Sequence, residues 1–349
     1  MKVLVTGGAG FIGVNVAEHH LLSGDEVVIF DNLSRRGTTD NLAWLQERHD
    51  TDRLKIVMGD IRDFDSLRAT VTHETDRVYH LAAQVAVTTS VTDPREDFEV
   101  NALGTFNVLE AVRQMAPQAT VIYASTNKVY GSMESIRIAE RRGRYEYVDL
   151  SEGVSEKYPL DFHSPYGCSK GSGDQYVRDY ARIYGLKTVV MRQSCIYGPR
   201  QMGVEDQGWI AHFCIAARMG RPITIFGDGK QVRDVLWIDD LIRVYEAAAA
   251  RIDAVAGSVY NIGGGPTNTL AVWAEFGPLL ESLAGKPVDA TYAEWRPGDQ
   301  PVYVSAITKA ERELGWRPQV SVDDGLRRLW NWVDDNHMLF EEAQAMTVG

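Results

Sequence analysis

The sequence predicts a doubly wound, parallel α/β sheet followed by a smaller, mixed α/β lobe at the C-terminal side. Short β-branched runs alternate with longer amphipathic stretches through the first half of the chain, the rhythm of a sheet built from strand–helix units. The runs are apolar throughout, as strands are when helices cover both faces of their sheet. A glycine-rich turn joins the first strand directly to the first helix. The 349 residues suffice for a substantial core and two lobes.

Strands are expected at Val3–Thr6, Glu26–Phe30, Leu54–Met58, Arg77–Leu81 and Thr120–Ala124. The helices between them are expected at Phe11–Ser23, Thr39–Arg48, Phe64–His73 and Pro94–Met115. A further helix over Tyr166–Tyr184 leads to a strand at Lys187–Met191. From Tyr197 to about Arg233 the chain turns rich in Gly, Pro and Arg, and after Gly265 short helices mix with loops. The strand near Gly257–Ile262 is expected to return to the main sheet. The first lobe is therefore assigned to residues 1–191 plus about 234–265, and the second to about 192–233 plus 266–349.

Composition is that of a soluble globular protein, 44% hydrophobic and 24% charged. A net charge of −12 argues against a general nucleic-acid binder, though a local basic pocket for an anionic ligand is compatible with it. The chain opens on the apolar strand Lys2–Val5, so no signal peptide is expected, and no apolar run is long enough for a membrane span. Cys168, Cys195 and Cys214 are odd in number and lack metal-ligand spacing, which points to a reduced, cytoplasmic enzyme with neither disulfide nor metal.

Thr6-Gly7-Gly8-Ala9-Gly10-Phe11-Ile12-Gly13 follows a strand and opens a helix, the context of a Rossmann dinucleotide site. Gly7 permits the tight turn, Gly10 lets the backbone approach a pyrophosphate, and Gly13 lets the helix pack closely. The helix N-terminus adds free N–H groups and the positive end of its dipole. Asp31 ends the second strand, where its carboxylate accepts ribose hydroxyls and repels a 2′-phosphate, which favours NAD over NADP. Arg35 and Arg36 are the counter-signal, since arginine holds such a phosphate. Asp60-Ile61 after the third strand either brackets the adenine, or Asp60 caps the helix that starts near Asp63.

Among the 15 tyrosines, Tyr166 alone is followed four residues later by a lysine, Lys170, which puts both side chains on one helix face. A neighbouring ammonium stabilises phenolate, so Tyr166 is expected to have a lowered pKa and to act as general base on an alcohol or sugar hydroxyl. The strand ending in Ser125-Thr126-Asn127-Lys128 delivers hydroxyls to the carboxyl edge of the sheet, unless Ser125 and Thr126 merely terminate it. In the first reading Thr126 aligns the oxygen being oxidised.

Together with His80-Leu81-Ala82-Ala83, Asn101–Thr105 and Tyr197-Gly198-Pro199, these segments resemble the extended short-chain dehydrogenase/reductase family from Met1 to about Trp332. The resemblance implies NAD, a nucleotide-sugar substrate and the catalytic group Thr126, Tyr166 and Lys170. It implies cofactor contacts from Gly7, Gly10, Phe11, Ile12, Gly13, Asp31, Asn32, Ser34, Arg35, Asp60, Ile61, Leu81, Ala82, Ala83, Asn101, Tyr166 and Lys170. Sugar-nucleotide 4,6-dehydratases of this family carry an acidic pair after the Thr. Asn127-Lys128 stands there in this chain, and an amide and an ammonium cannot perform those proton transfers.

Longer stretches are similar to the CDP-tyvelose (CDP-paratose) 2-epimerases: Phe30–Gly37, Gln84–Ser90, Ser125–Gly131, Leu160–Lys170 and Asp206–Trp209. Such enzymes are isomerases. Tyr166 would take the proton of the C2 hydroxyl, the C2 hydride would pass to NAD, and its return to the opposite face of a 2-keto sugar would give the epimer. A UDP-sugar 4-epimerase is the nearest alternative, and a net sugar-nucleotide oxidoreductase the next. The resemblance also implies substrate contacts from Gln84, Thr126, Asn127, Cys195, Gln207, Arg233 and Arg296. The two arginines match positions that hold a diphosphate, which a planar guanidinium grips in pairs of bonds. Cys195 stands where many relatives have Asn, a departure that weakens that contact.

Four residues are kept outside the site. His163 is assigned to a loop beside it, Cys168 to a buried thiol facing away from it, and Trp330 and Trp332 to packing of a terminal helix. Lys128 either touches substrate or lines the pocket rim. Relatives dimerise through two helices, here Pro94–Met115 and Tyr166–Tyr184, so a homodimer is expected.

Overall fold

A computed structural model describes residues 1–49, 52–296 and 299–341. Pro297 and Gly298 of the Arg296–Asp299 segment, and residues 342–349 of the expected second lobe, lie outside the described residues. The first half runs β1 (Lys2–Thr6), α1 (Phe11–Leu22), β2 (Glu26–Asp31), α2 (Thr38–Arg48), β3 (Leu54–Met58), α3 (Phe64–Thr70) and β4 (Arg77–His80). It continues through α4 (Val87–Thr92), α5 (Pro94–Phe98), a π-turn at Glu99–Leu103, α6 (Gly104–Met115) and β5 (Thr120–Thr126). A hairpin, β6 (Ile138–Arg141) and β7 (Arg144–Tyr147), precedes α7 (Pro165–Tyr184) and β8 (Lys187–Gln193).

The remaining strands are β9 (Cys195–Tyr197), β10 (Ile223–Phe226), β11 (Val232–Trp237), β12 (Ser258–Ile262), β13 (Thr269–Ala271), β14 (Ala290–Ala293) and β15 (Val302–Tyr303). The main sheet is seven-stranded and parallel, in the order β3-β2-β1-β4-β5-β8-β12. The strand around residue 260 does return to it, beside β8. Chain direction across the sheet reverses between β1 and β4, the position at which doubly wound sheets open a crevice for ligands.

The apolar strands do cover both faces. Val3, Val5, Ile29 and Ile122 join a core with Val14, Leu21 and Leu45 of α1 and α2. Leu4, Val28, Val121 and Tyr123 point the other way, into a core with Leu67, Val108, Val112 and Val177 of α3, α6 and α7. Smaller sheets lie beyond. There β11 pairs with β9 and β15 in parallel and with β13 in antiparallel, while β10 pairs with β14.

Three differences from the sequence reading have physical causes. The single helix expected at Pro94–Met115 runs without a gap but widens into a π-turn at Glu99–Leu103, where the Asn101 side chain bonds Asp97, Gln84 and Ser169. The β6–β7 hairpin and α4 were not anticipated, because both are short and lack a buried apolar stripe. The helix at Tyr166 starts one residue earlier, capped by Ser164, which accepts from the Gly167 amide at 3.0 Å, with Pro165 in the first turn.

Candidate active site

The glycine turn is built by steric necessity. Gly7 has φ +71°, and a Cβ there would meet the Ala82 amide nitrogen at 2.6 Å. A Cβ on Gly13 would sit 2.1 Å from the Gly7 carbonyl oxygen and 2.7 Å from the Gly8 Cα, atoms that cannot give way. Gly13→Ala is accordingly expected to destabilise the fold by about 1–3 kcal/mol and to cut NAD retention. An unchanged urea midpoint, with NAD still co-purifying, would refute this account. Gly10 is the N-cap of α1 and brings no side chain to its first amides, so a pyrophosphate can approach them. The turn therefore fits a dinucleotide.

At the adenosine end Asp31 is fixed by the amides of Ala9 (3.0 Å) and Leu33 (2.8 Å), while burial raises its pKa against those bonds. Leu33 has φ +53°, a left-handed residue held beside the expected ribose contact. Asp60 is not a helix cap. Asp63 caps α3 by accepting from Ser66, and Asp60 is gripped by Arg62 (2.9 and 2.7 Å) and Asn32 (2.9 Å). The Arg62 bonds hold the Asp60 carboxyl down at about 2. Ile61 packs its side chain against Gly104, and its carbonyl accepts from the Asn107 amide at 2.9 Å.

Behind the turn, Thr6 on β1 bonds His80 Nδ1 (2.8 Å), and His80 Nε2 bonds Thr105 of α6 (3.0 Å). Burial drives this imidazole down to about 3, so it is a neutral strut between strand and helix. Leu81, Ala82 and Ala83 follow β4 at half-buried positions beside Gly7. Ser34 is exposed in the loop after β2, its amide bonded to Asn32.

Tyr166 and Lys170 share the buried face of α7 as the spacing predicts. Their charges do not behave as predicted. Burial pushes the Tyr166 phenol up to about 12, against a lowering bond from Thr126 and the charge of Arg35. Burial likewise pulls the Lys170 ammonium down to about 7, opposed by Asp174 and Asp97. Desolvation dominates both groups, and the charges that act on the phenol are those of Asp97 and Arg35. The Lys170 amine lies over the Tyr123 ring, 4.4 Å from its centroid. Thr126 faces the phenol, and its hydroxyl is bonded to Asn127 at 3.3 Å. Ser125 turns away to Asp174 (2.9 Å), so of this pair only Thr126 is left for chemistry.

Asn101, expected beside the cofactor, has its amide engaged by Gln84, Asp97 and Ser169. Its part is to tie the loop after β4 to α7. Gln84 keeps one buried amide oxygen without a protein partner, a free acceptor in the crevice. Gln207 accepts from the Arg35 guanidinium, which turns both residues from their expected ligands toward each other. Arg233 bonds Asp299 at 2.6 Å, Arg296 bonds Asp206 at 3.0 Å, and Lys128 lies 3.8 Å from the same Asp299. Cys195 is next to this group, its thiol pushed up by burial. Cys168 is exposed, not buried, on the outer side of α7, and His163 is exposed in the loop before it.

The sequence reading missed Asp97, Ser169, Asp174, Arg192 and Asp299. Asp174 and Arg192 form a buried ion pair at 2.8 and 2.9 Å, tied to β5 through Ser125. The signal available was a polar face on α7, since Ser169 and Asp174 follow Tyr166 at near-helical intervals. No group of residues able to hold a metal occurs among the described residues.

A dinucleotide-dependent enzyme that works on a hydroxyl-bearing carbon is the class this fold and site define. A family model described as GDP-mannose 4,6 dehydratase matches residues 4–329. CDP-paratose 2-epimerase of Salmonella typhi is 46% identical over 338 residues, covering 95% of this chain and 99% of the relative. A dTDP-glucose 4,6-dehydratase of Streptomyces venezuelae, solved with NAD bound, is 33% identical with TM-score 0.83, covering 98% of this chain and 99% of that one. UDP-glucose 4-epimerase of Thermotoga maritima, solved with UDP-glucose, is 30% identical with TM-score 0.81, covering 97% and 100%. The chain belongs to the NAD-dependent epimerase/dehydratase family of short-chain dehydrogenase/reductase type.

Proposed function

We propose that this protein is an NAD-dependent nucleotide-sugar epimerase that inverts C2 of a CDP-linked hexose or deoxyhexose of the CDP-paratose/CDP-tyvelose type. The reading rests on the 46% identity to a CDP-paratose 2-epimerase along nearly the whole of both chains. Asn127-Lys128 supports it against dehydration, because neither side chain is a carboxylic acid.

Gly10 and the first amides of α1 would hold the cofactor's pyrophosphate, and Asp31 its adenosine ribose. When bound, NAD would supply a hydride acceptor and a cationic ring close to the catalytic tyrosine. Tyr166 Oη takes the proton of the sugar hydroxyl as base and returns it as acid. Thr126 Oγ1 donates to the same sugar oxygen and so stabilises its developing charge. Lys170 as ammonium favours phenolate, and Asp97 and Asp174 oppose the loss of its proton. Arg233 and Arg296 would bind the diphosphate after exchanging Asp299 and Asp206. In this division residues 1–191 plus about 234–265 carry the cofactor and the remainder the nucleotide sugar.

Incubation with CDP- and UDP-hexoses, followed by NMR of the products, locates the inverted carbon. Inversion confined to C4 of UDP-sugars would replace this reading by a 4-epimerase, the activity of a relative 31% identical. We further propose a cytoplasmic homodimer. Exposed Leu103, Phe106 and Met115 of the π-turn and α6, with Tyr176, Ile183 and Tyr184 of α7, supply an apolar face for it. A light-scattering mass equal to one chain would rule the dimer out. No described helix is long and apolar enough to cross a membrane.

A further inference from the structure

A cavity of about 580 Å³ opens at the β12 edge of the main sheet, away from the glycine turn and from Tyr166. Its volume falls within the roughly 300–1,000 Å³ of small-molecule sites. The wall is basic, with Lys157, Arg178, Arg192, Lys309 and Arg312 against the single carboxylate of Glu156. That concentration stands out on a chain of net charge −12. Three of the five cations are matched by carboxylates at or behind the wall, Arg192 by Asp174 and both Lys309 and Arg312 by Glu313.

Arg178 is not matched. Its guanidinium bonds the neutral amide of Gln175 at 3.0 Å, and its Nε is buried without a partner. Burial, together with the charges of Arg182 and Arg192 and against that of Asp174, holds its pKa below the ordinary value. Glu156 does not supply the missing partner, since it accepts the Asn261 amide at 2.8 Å. A guanidinium whose one partner is a neutral amide is costly in a partly buried place, and an oxyanion in the cavity would give its outer N–H groups a charged one. No aromatic ring lines the cavity and Val259 is its one bulky apolar side chain, so the wall recognises charge rather than a base. Arg192 at the cavity wall is committed to Asp174 and Tyr130, which separates this space from the catalytic residues.

We infer that this cavity is a second, non-catalytic site for a compact phosphate-bearing anion, gripped by Arg178 with Lys157, Lys309 and Arg312 around it. Arginine meets phosphate oxygens in paired, charge-assisted bonds, the chemistry that Arg178 lacks in the chain itself.

The test is calorimetric titration of NAD-saturated protein with inorganic phosphate at low ionic strength. Arg178→Gln should weaken phosphate binding about tenfold, the loss of one charge-assisted contact. Lys157→Gln, a change at an exposed side chain that leaves the core untouched, should weaken it by a smaller factor. Arg233→Gln, at the proposed diphosphate arm, should leave it unchanged. Equal affinity in wild type, Arg178→Gln and Lys157→Gln, or loss of binding in Arg233→Gln alone, would overturn the inference. Cytidine monophosphate in a parallel titration separates the two sources of phosphate. Affinity equal to that of inorganic phosphate assigns the free anion, and tighter binding that Arg178→Gln also weakens assigns a nucleotide. Neither arm depends on which sugar the enzyme converts.

Discussion

Tyr166→Phe is expected to lower kcat by about 10²–10⁴, the contribution of a positioned general acid–base group, while the protein keeps its NAD and its thermal midpoint. The phenol is buried beside Thr126, one turn of α7 before Lys170. Burial, the largest influence on it, leaves its pKa at about 12, so in the bare chain it is protonated at neutral pH. The charge of Arg35 already acts within that value, so the further lowering must come with the bound cofactor. The pH profile follows with a definite sign. A base is active when deprotonated, so kcat rises with pH along the acid limb, and that limb should vanish in Tyr166→Phe. A variant as active as wild type, with the limb intact, would remove Tyr166 from the mechanism.

Asp174→Ala should cost about 3–5 kcal/mol of unfolding free energy, as when one partner of a buried ion pair is removed. Asp174 and Arg192 are both almost fully buried. The carboxylate accepts from Arg192 at 2.8 and 2.9 Å and from Ser125 at 2.9 Å, joining α7 to β8 and β5. Without it the guanidinium keeps its charge inside the protein with Tyr130, at 3.0 Å, as its one side-chain hydrogen-bonding partner among the described residues. Urea unfolding reads the loss directly. A shift below about 1 kcal/mol would mean that water or a rearranged side chain reaches Arg192. Lys170 loses a stabilising carboxylate in the same variant, so catalysis should fall along with stability.

The sheet was legible in the sequence because its strands are apolar on both faces, a pattern that backbone periodicity alone dictates. The glycine turn was legible because Gly7 and Gly13 occupy places where no Cβ fits. The Tyr166–Lys170 pair was found by helix spacing, but its electrostatics were not, since burial is a property of the packed fold and here dominates the pKa of both groups. The π-turn escaped because apolar periodicity runs on through Glu99–Leu103, and only the three-way bonding of Asn101 reveals it. Asp299 escaped because its partners Arg233 and Lys128 lie 66 and 171 positions away in the chain, beyond any local pattern.

If Arg233 and Arg296 hold the diphosphate as proposed, their pairs with Asp299 and Asp206 make phosphate recognition an exchange reaction. An incoming diphosphate meets guanidinium groups that already have a carboxylate, so its affinity is the difference between two ionic contacts, not the worth of one. Such resident competitors keep each fork aligned and flatten the salt dependence of binding, because each phosphate contact displaces a charge of its own sign. They also set a threshold: a lone carboxylate on a passing metabolite gains little by trading places, whereas a doubly charged diphosphate does.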